Sequence, residues 1–386
     1  MDEGERVMTA IARRAALEAL VSAPGVTLAA PPILVSPAAY FDLAGEELGA
    51  RMILTQGMDG SEFCLRPDFT LPIAIDHIAN GAATPAAYGY LGPVFRQRTD
   101  GPAQFDQGGI ELLALPDADA ALDQVIGFAR AVTDIYGVTA PHIRVGDIDL
   151  FETLLAACDM PDVWRPRVRA RFGHPEAMTA LLDRLADPRP PMPGPAGLPA
   201  GDIADWVGEL MLTNGLSLTE SRTPQEIAAR YLEKQALEAQ RVPGPTIDLL
   251  RNYLAISGPA DKSLAAIGAL GQTAGIYLTS ALQGASRRVD QLRDGLKAKS
   301  ILFDAGFSPR LDYYTGITFE VTGAGGLVLV SGGQYDRLLK RLGASQDIPA
   351  VGCAVWVDRL EAECEKVDAG FSQQFRDEEG SAEVRP

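Results

Sequence analysis

Apolar residues recur with two different periods along this chain, and the change of period marks its organisation. Residues 6–21 are apolar at helical spacing and predict a first helix. Strand-like runs then come in pairs, first RMILTQ with SEFCLRP around an Asp-Gly turn, then AAYGYLGPVFRQ with QFDQGGIELLAL. Each pair predicts an antiparallel hairpin. Helices are predicted over residues 70–80 and 119–136, and a strand over HIRVG.

The pattern becomes mainly helical over residues 151–298. Within this region, residues 188–199 include six prolines and predict a connector between helical groups. Strand patterns return in SILFDAGF, GITFEVTG and GLVLVSGG, followed by a predicted helix over residues 334–342. AVGCAVWVDRLEAECEK predicts a last strand and helix, and the polar residues 367–386 predict a flexible tail.

Strands at both ends of the chain and helices in its middle indicate an α+β fold. The simplest architecture is a mainly antiparallel sheet flanked by helices and built from residues 1–150 and 299–366. A helical insertion over residues 151–298 would interrupt this domain.

Composition and charge narrow the classes of function. A chain of 386 residues that is 47% hydrophobic can bury a large core. It carries 34 Lys and Arg against 51 Asp and Glu, and a net charge of -17 disfavours nucleic acid as a partner. Neither a signal peptide nor a run of about 18 apolar residues is present, so we expect a cytoplasmic protein without membrane contact.

Histidines, cysteines and glycines do not indicate a metal or cofactor site. Four cysteines without a CxxC spacing are typical of a reduced protein. His77, His142 and His174 are not spaced as metal ligands, and His77 fits a hydrogen-bonded or exposed helix position better than a catalytic base. The glycines of GAGGLVLVSGG flank an apolar strand and predict hairpin turns, so a Rossmann site is rejected.

Polar residues inside strand-like, apolar stretches are the candidate chemistry. Gln107 and Glu111 lie four residues apart and therefore project from the same face of a strand. A carboxylate at such a position is costly to bury without a partner. Further polar candidates lie where strands begin or end: Asp68, Thr70, Asp312, Tyr313 and Tyr314. For each of these taken alone, a loop cap or a solvated face is the favoured explanation.

Taken together, the segments resemble the histidine–tRNA ligases of class II. LRPDFT resembles the family's LRPEGT, GPVFR with QGGIE its second motif, and PAVGCAVWVDRL its third. LDYYTGITFE and SGGQYDRLL resemble the two histidine-specific segments, and LDYYTG is highly specific. The resemblance omits the helical middle. It implies a class II synthetase-like core and a homodimer formed through the first-motif segment, residues 31–36.

The resemblance also implies a pocket for free histidine. The residues that it assigns to histidine binding are Asp68, Thr70, Gln107, Glu111, Tyr313 and Tyr314. The first three would hold the α-amino group, while Glu111 and Tyr314 would recognise the imidazole ring. This is sensible chemistry, because an ammonium and an imidazole N–H both require fixed acceptors in a desolvated pocket.

The parts that bind ATP match the ligases poorly. Arg96 and Arg359 keep the family's two phosphate-binding arginines and are residual phosphate-binding candidates. The substitutions are Arg98 for a glutamate near adenine, Ala103 for a phosphate-contacting arginine, Trp356 for a glycine and Pro309 for the catalytic arginine, with Arg310 displaced by one residue. We therefore expect no adenylation, and no catalytic residue is assigned.

Only 27 residues follow Arg359, too few for the ligases' anticodon-binding domain, so tRNA binding is not expected. The chain thus most resembles the ATP phosphoribosyltransferase regulatory subunits, paralogues of the ligases. That family implies a hetero-octamer with the short catalytic subunit, a requirement for activity in the first step of histidine biosynthesis, and feedback inhibition by histidine.

Two alternatives remain open. The first alternative is a histidine-activating enzyme with an acceptor other than tRNA, which pyrophosphate exchange would reveal. The second is a stand-alone histidine sensor. A genome that encodes only the long, self-sufficient transferase would favour the sensor.

Overall fold

The computed structural model describes residues 8–43, 45–99, 101–139, 141–187, 198–215, 222–298, 300–309 and 313–364. Its strands are β1 (Thr27–Leu28), β2 (Leu34–Val35), β3 (Leu54–Gln56), β4 (Glu62–Leu65), β5 (Ala86–Phe95), β6 (Gln104–Leu113), β7 (His142–Asp147), β8 (Ser257–Pro259), β9 (Ser300–Asp304), β10 (Ile317–Thr322), β11 (Val328–Gln334) and β12 (Ala350–Trp356). Its helices are α1 (Ala10–Val21), α2 (Ala38–Leu43), α3 (Gly45–Arg51), α4 (Thr70–Gly81), α5 (Ala118–Ile135), α6 (Ile148–Ala157), α7 (Arg165–Arg169), α8 (Pro175–Ala186), α9 (Ala200–Thr213), α10 (Pro224–Ala239), α11 (Gly244–Leu254), α12 (Ala260–Thr273), α13 (Thr279–Gly295) and α14 (Leu338–Arg341). Residues 357–364 are also helical.

The chain divides into two compact units. The first joins Met1–Leu154 to Tyr253–Pro386, and the second is Leu155–Asn252. These bounds differ from the predicted insertion over residues 151–298, because β8 pairs with β9 and the helices α12 and α13 pack on that same strand. Helical periodicity continues through this region and carries no signal of the return to the sheet.

A nine-stranded sheet forms the centre of the first unit, in the order β1-β5-β6-β12-β11-β10-β7-β9-β8. Its pairs are antiparallel except β1 with β5 and β7 with β9. The helices α1 and α5 pack on β6, and α5 also packs on β12. The predicted α+β class with a mainly antiparallel sheet is therefore confirmed, as are the hairpins β3–β4 and β5–β6.

The predicted helix over residues 334–342 is wrong in its first half. Gln334 ends β11 and pairs with Val351 of β12, and the Tyr335 N–H donates to the Ala350 carbonyl at 2.8 Å. These strand contacts fix the backbone, so the helix is only Leu338–Arg341. Sequence periodicity also missed β1, β2 and β8, which are too short to show alternation.

The second unit is helical among its described residues. The helices α9 and α10 pack through a core of Ile203, Ala204, Val207, Met211, Ala228 and Tyr231. A capping box begins α10, in which the Thr223 hydroxyl accepts from the Glu226 N–H and the Glu226 carboxylate accepts from the Thr223 N–H. Most of the predicted proline-rich connector, residues 188–199, and the predicted tail, residues 367–386, lie outside the described residues.

Candidate functional site

Strand β6 places two polar candidates in the interior of the sheet. Gln107 is 3% exposed and Glu111 is 2% exposed. Glu111 lies opposite Gly352 of β12 and Tyr88 of β5. A Cβ atom at position 352 would lie 1.7 Å from Glu111 Oε2, so only glycine leaves room for the carboxyl group.

Three hydroxyl groups surround the Glu111 carboxyl group. Thr70 Oγ1 donates to Oε1 at 2.6 Å, Tyr90 OH donates to the same oxygen at 3.3 Å, and Tyr335 OH donates to Oε2. Burial raises the pKa of Glu111 to about 7, although hydrogen bonds from Thr70, Tyr335 and Tyr90 oppose that rise. The group therefore changes charge close to neutral pH.

Asp68 lies two residues before α4 and is 5% exposed. Its Oδ1 accepts from Tyr40 OH at 3.2 Å and from the Leu71 N–H at 3.4 Å. Its Oδ2 is buried and has no hydrogen-bond partner among the described residues. Burial raises the pKa of Asp68, with the charge of Arg96 as the largest opposing effect. An unpaired buried carboxylate oxygen is costly, and a cationic ligand would satisfy it.

Tyrosine rings adjoin these carboxyl groups. Tyr313 and Tyr314 lie 5.1 Å apart between ring centroids, and Tyr335 lies 5.7 Å from the first and 6.4 Å from the second. Burial and the neighbouring Tyr314 raise the pKa of Tyr313, and the charges of Asp68 and Glu111 raise it further. We call the group formed by Asp68, Thr70, Glu111, Tyr313, Tyr314 and Tyr335 the carboxylate pocket.

The structure gathers five of the predicted histidine-binding residues in this pocket. The sixth, Gln107, is buried farther along β6, opposite Gly92 and Trp356. Asp312, like Arg310, lies outside the described residues. Sequence reasoning missed Tyr40, Tyr90 and Tyr335 as partners of the two carboxyl groups. Tyr335 lies in SGGQYDRLL, one of the two histidine-specific segments of the resemblance, which is a sequence signal for its role. Tyr40 and Tyr90 reach the pocket only through the fold.

Arginines occupy the neighbouring region, where the resemblance expected ATP contacts. The pKa of Arg96 is lowered to about 10, mainly by burial, with smaller contributions from the charges of Arg51 and Arg359 and against the opposing charge of Asp68. The Arg359 guanidinium lies 5.0 Å from the centre of the Trp356 ring, and its Nη1 donates to the Val328 carbonyl at 2.8 Å. Positive charge is therefore concentrated close to the carboxylate pocket.

Arg98, one of the substituted positions, turns into this region. Its side chain is 2% exposed, forms an ion pair with Asp358 and lies 4.0 Å from the centre of the Phe105 ring. Its Nε also donates to the Pro102 carbonyl at 2.9 Å. We call Arg96, Arg98, Phe105, Asp358 and Arg359 the arginine region. Pro309 is also buried.

Two of the histidines make hydrogen-bonding contacts that give them a structural role. His77 is buried, with Nδ1 3.1 Å from Tyr88 OH and Nε2 3.1 Å from the Ala82 carbonyl. His142 Nδ1 lies 3.1 Å from Ser300 Oγ. Within the described ranges, no group of three or more His, Cys, Asp or Glu side chains is arranged to hold a metal ion. Over the same ranges, no helix combines the length and apolarity that a membrane span requires.

Comparison with known proteins agrees with the segments that carry the resemblance. The family model described as histidyl-tRNA synthetase matches residues 5–174 and 220–360. The ATP phosphoribosyltransferase regulatory subunit of Agrobacterium fabrum is 39% identical over 342 residues, covering 86% of this chain and 91% of the relative. The subunit of the same name from Chelativorans sp. is 39% identical over 344 residues, covering 85% and 91%.

The chain belongs to the family of ATP phosphoribosyltransferase regulatory subunits. Solved structures agree on the fold of this family. The chain of Bacillus halodurans described as an ATP phosphoribosyltransferase regulatory subunit/histidyl-tRNA synthetase matches with a TM-score of 0.64 at 20% identity, covering 94% of this chain and 83% of that one. Histidyl-tRNA synthetase from Nostoc sp. matches with a TM-score of 0.57 at 15% identity, covering 93% and 72%. The family thus shares the class II synthetase-like fold.

Proposed function

We propose that this chain is the non-catalytic regulatory subunit of an ATP phosphoribosyltransferase and that free histidine binds in its carboxylate pocket as the feedback effector. The observation that supports the pocket is the juxtaposition of Asp68, whose buried Oδ2 lacks a partner among the described residues, with Glu111. Histidine carries an ammonium group and an imidazole N–H, which are the donors that these two acceptors require.

The proposed binding mode divides histidine between the two carboxyl groups. The ammonium group donates to Asp68 Oδ2, which removes the cost of leaving that oxygen unpaired. The imidazole N–H donates to Glu111, and the ring packs beside Tyr314. Thr70 acts indirectly in this proposal, because its hydroxyl already donates to Glu111 Oε1 at 2.6 Å and thereby positions the carboxyl group.

A ligand series tests this binding mode on the full-length chain. Calorimetry should detect binding of histidine. Imidazole propionate, which lacks the ammonium group, should bind much more weakly, and alanine should not bind. Equal affinities for histidine and imidazole propionate would remove Asp68 from the site. Absence of histidine binding would remove the pocket assignment altogether.

The non-catalytic assignment is supported by the arginine region. Arg98 brings a positive charge where the ligases have a glutamate, and its ion pair with Asp358 holds that charge beside Phe105. Binding an effector requires only acceptors and donors, whereas adenylation also requires ATP to be aligned with the amino-acid carboxylate. Loss of adenylation therefore does not remove effector binding.

The partner in this proposal is the short catalytic subunit, in a cytoplasmic hetero-octamer. Co-expression should yield a complex of the two chains, and the catalytic subunit should depend on this chain for activity and for inhibition by histidine. A catalytic subunit that is fully active and fully inhibited by histidine without this chain would contradict the regulatory assignment, even if the chain binds histidine by itself.

A homodimer through residues 31–36 is part of the same proposal. Ile33 and Leu34 are 46% and 49% exposed, and the nearby Leu28 is 57% exposed, although all three are large apolar residues. Burying them against a second copy would stabilise a dimer. Light scattering should therefore show a dimer that Leu34→Asp converts to monomer. Tyr277→Asp, at a residue that is 84% exposed elsewhere in the same unit, is the matched control and should leave the dimer intact.

A further inference from the structure

The second unit contains a basic cavity that the proposed function does not use. The cavity has a volume of about 370 Å³ and is lined by residues of Leu155–Asn252 alone. Five lining residues are basic and one is acidic: Arg167, Arg171, Arg184, Arg230, Lys234 and Glu233. Like charges around a small volume repel one another, and a bound anion would relieve that repulsion.

The cluster of basic residues around this cavity contrasts with the negative charge of the whole chain. The net charge is -17, and Leu155–Asn252 holds 11 Lys and Arg against 13 Asp and Glu, so the unit itself is slightly acidic. Five of those 11 basic residues nevertheless line one cavity. A solvated helix surface would be expected to intersperse the two signs, so the clustering indicates a binding site for an anion.

Contacts with the chain hold several of these groups in place. Arg167 donates to Glu233 Oε1 at 3.0 Å and to the Val163 carbonyl at 2.8 Å, so the one acidic lining residue already has a partner. Arg171 Nη1 donates to the Arg167 carbonyl at 2.8 Å. Guanidinium groups that are already oriented lose less freedom on binding and present a planar pair of donors that matches phosphate oxygens.

An aromatic wall fixes another arginine. The Arg184 guanidinium lies 5.8 Å from the centre of the Trp164 ring, and Trp164 is 4% exposed and donates from Nε1 to the Gln240 carbonyl at 2.7 Å. Arg230, in contrast, is exposed on α10, so one side of the cavity is open to solvent. The site combines a buried, partly apolar floor with a charged rim, as small-molecule sites do.

We infer that this cavity binds the polyphosphate group of a small molecule, such as a nucleoside triphosphate. Beyond the Arg167–Glu233 pair, the lining offers three further arginines, Arg171, Arg184 and Arg230, which match several phosphate charges better than a single carboxylate. The volume is that of a small-molecule pocket, and the acidic surface of the chain opposes a long polyanion such as RNA. The inference is independent of the histidine pocket.

Calorimetric titration of the full-length chain with pyrophosphate, ATP and orthophosphate tests the inference. Pyrophosphate and ATP should bind, and orthophosphate should bind more weakly because it meets fewer guanidinium groups. The double variant Arg171→Gln with Arg230→Gln should weaken binding of both polyphosphates by about tenfold or more. ATP binding tighter than pyrophosphate would show that the nucleoside also contacts the cavity; equal affinities would assign recognition to the phosphates alone.

The matched control is Arg222→Gln with Arg241→Gln, which removes two exposed positive charges of the same unit outside the cavity. It should leave polyphosphate affinity unchanged. Equal losses in the two double variants would reduce the effect to general electrostatics and overturn the inference. So would the absence of polyphosphate binding, or a short RNA duplex that binds through the same arginines more tightly than ATP.

Discussion

The carboxylate pocket and the arginine region lie in the same unit and both contain buried polar atoms without a hydrogen-bond partner among the described residues, but they differ in how their charges are paired. In the carboxylate pocket, Asp68 Oδ2 has no hydrogen-bond partner among the described residues. Glu111 has a pKa raised to about 7 and is only partly charged at neutral pH. In the arginine region, the charge of Arg98 is balanced by Asp358. The first region offers acceptors that the donors of the proposed ligand would satisfy, and in the second Asp358 neutralises one of the cations.

Under the proposed function, this difference separates a retained binding function from a lost catalytic one. Recognition of an amino acid needs a few acceptors held in a desolvated place, and substitutions elsewhere leave them intact. Adenylation needs several cations positioned around ATP at once, so the change of even one or two of them removes most of the rate. Arg96 and Arg359 are consistent with this view, because retained arginines alone do not align a reaction.

The largest expected effect is the absence of adenylation. With ATP and histidine, the full-length chain should show no pyrophosphate exchange above background, because Arg98, Ala103, Pro309 and Trp356 stand where the ligases align ATP. Loss of such positioning lowers rates by about two to three orders of magnitude for each group. An authentic histidine–tRNA ligase in the same assay is the positive control. Histidine-dependent exchange well above background would instead support the histidine-activating enzyme.

Removal of the central acceptor in the carboxylate pocket is expected to have the next largest effect. Glu111→Ala should weaken histidine binding by about 3 kcal/mol, or roughly 100-fold, because the imidazole N–H loses its buried partner. The assembled transferase should stay active and become insensitive to histidine, since coupling requires the effector to bind. Calorimetry and inhibition curves measure the two results.

Folding needs a control in this experiment, because Glu111 also accepts hydrogen bonds from Thr70, Tyr90 and Tyr335. Thermal unfolding should accompany each titration. Glu62→Ala removes a carboxylate from β4 of the same unit and should leave binding unchanged. Normal histidine affinity in well-folded Glu111→Ala would show that the pocket is misassigned. Lost binding with unchanged inhibition would place the effector site on the catalytic subunit.

The sequence predicted the strands that carry this comparison but not the contacts that decide it. β5 and β6 are long, apolar runs, and the spacing of Gln107 and Glu111 predicted that both project from one face of the strand, where the structure buries both side chains. The partners of Glu111 come from α4, β5 and the end of β11, and no local pattern joins segments separated by up to 224 residues. Only the resemblance to the ligases indicated that these distant segments form one site, and it did so without giving their geometry.

The same limit explains the error at residues 334–342. Local periodicity favoured a helix from Gln334, whereas pairing with β12 extends the strand to that residue. The unpaired Oδ2 of Asp68 and the ion pair of Arg98 with Asp358 are also tertiary features. Sequence alone could identify these residues as unusual, but only the fold shows which of them are satisfied.

A smaller effect is expected from Asp68→Asn. Histidine binding should weaken by about 2 kcal/mol, because the ammonium group loses a charged acceptor while the side chain keeps its shape. The free energy of unfolding without ligand should not fall, since the variant removes a buried charge whose Oδ2 has no partner. Calorimetry and urea unfolding measure the two quantities. Lower stability together with unchanged affinity would assign Asp68 a purely structural role with Tyr40 and Leu71.

The smallest expected effect is a difference in the pH dependence of stability. Burial raises the pKa of Glu111 from 4.5 to about 7, so between these values the folded state binds more protons than the unfolded state. The contribution of Glu111 to the free energy of unfolding is therefore fully present below about pH 4.5 and decreases as pH rises towards 7. The slope from one such group is at most about 1.4 kcal/mol per pH unit.

Glu111→Gln isolates this slope, because the amide keeps hydrogen-bonding capacity and does not titrate. Groups that do not interact with Glu111 contribute equally to both proteins, so the difference between their unfolding free energies removes them. Asp68, whose charge raises the pKa of Glu111, remains part of that difference. Measured by urea unfolding between about pH 4.5 and pH 7, the wild-type chain should lose stability with rising pH more steeply than the variant, and above about pH 7 the two slopes should converge. Parallel curves throughout would mean that Glu111 is ionised over the whole range and that the hydroxyl groups of Thr70, Tyr90 and Tyr335 outweigh its burial.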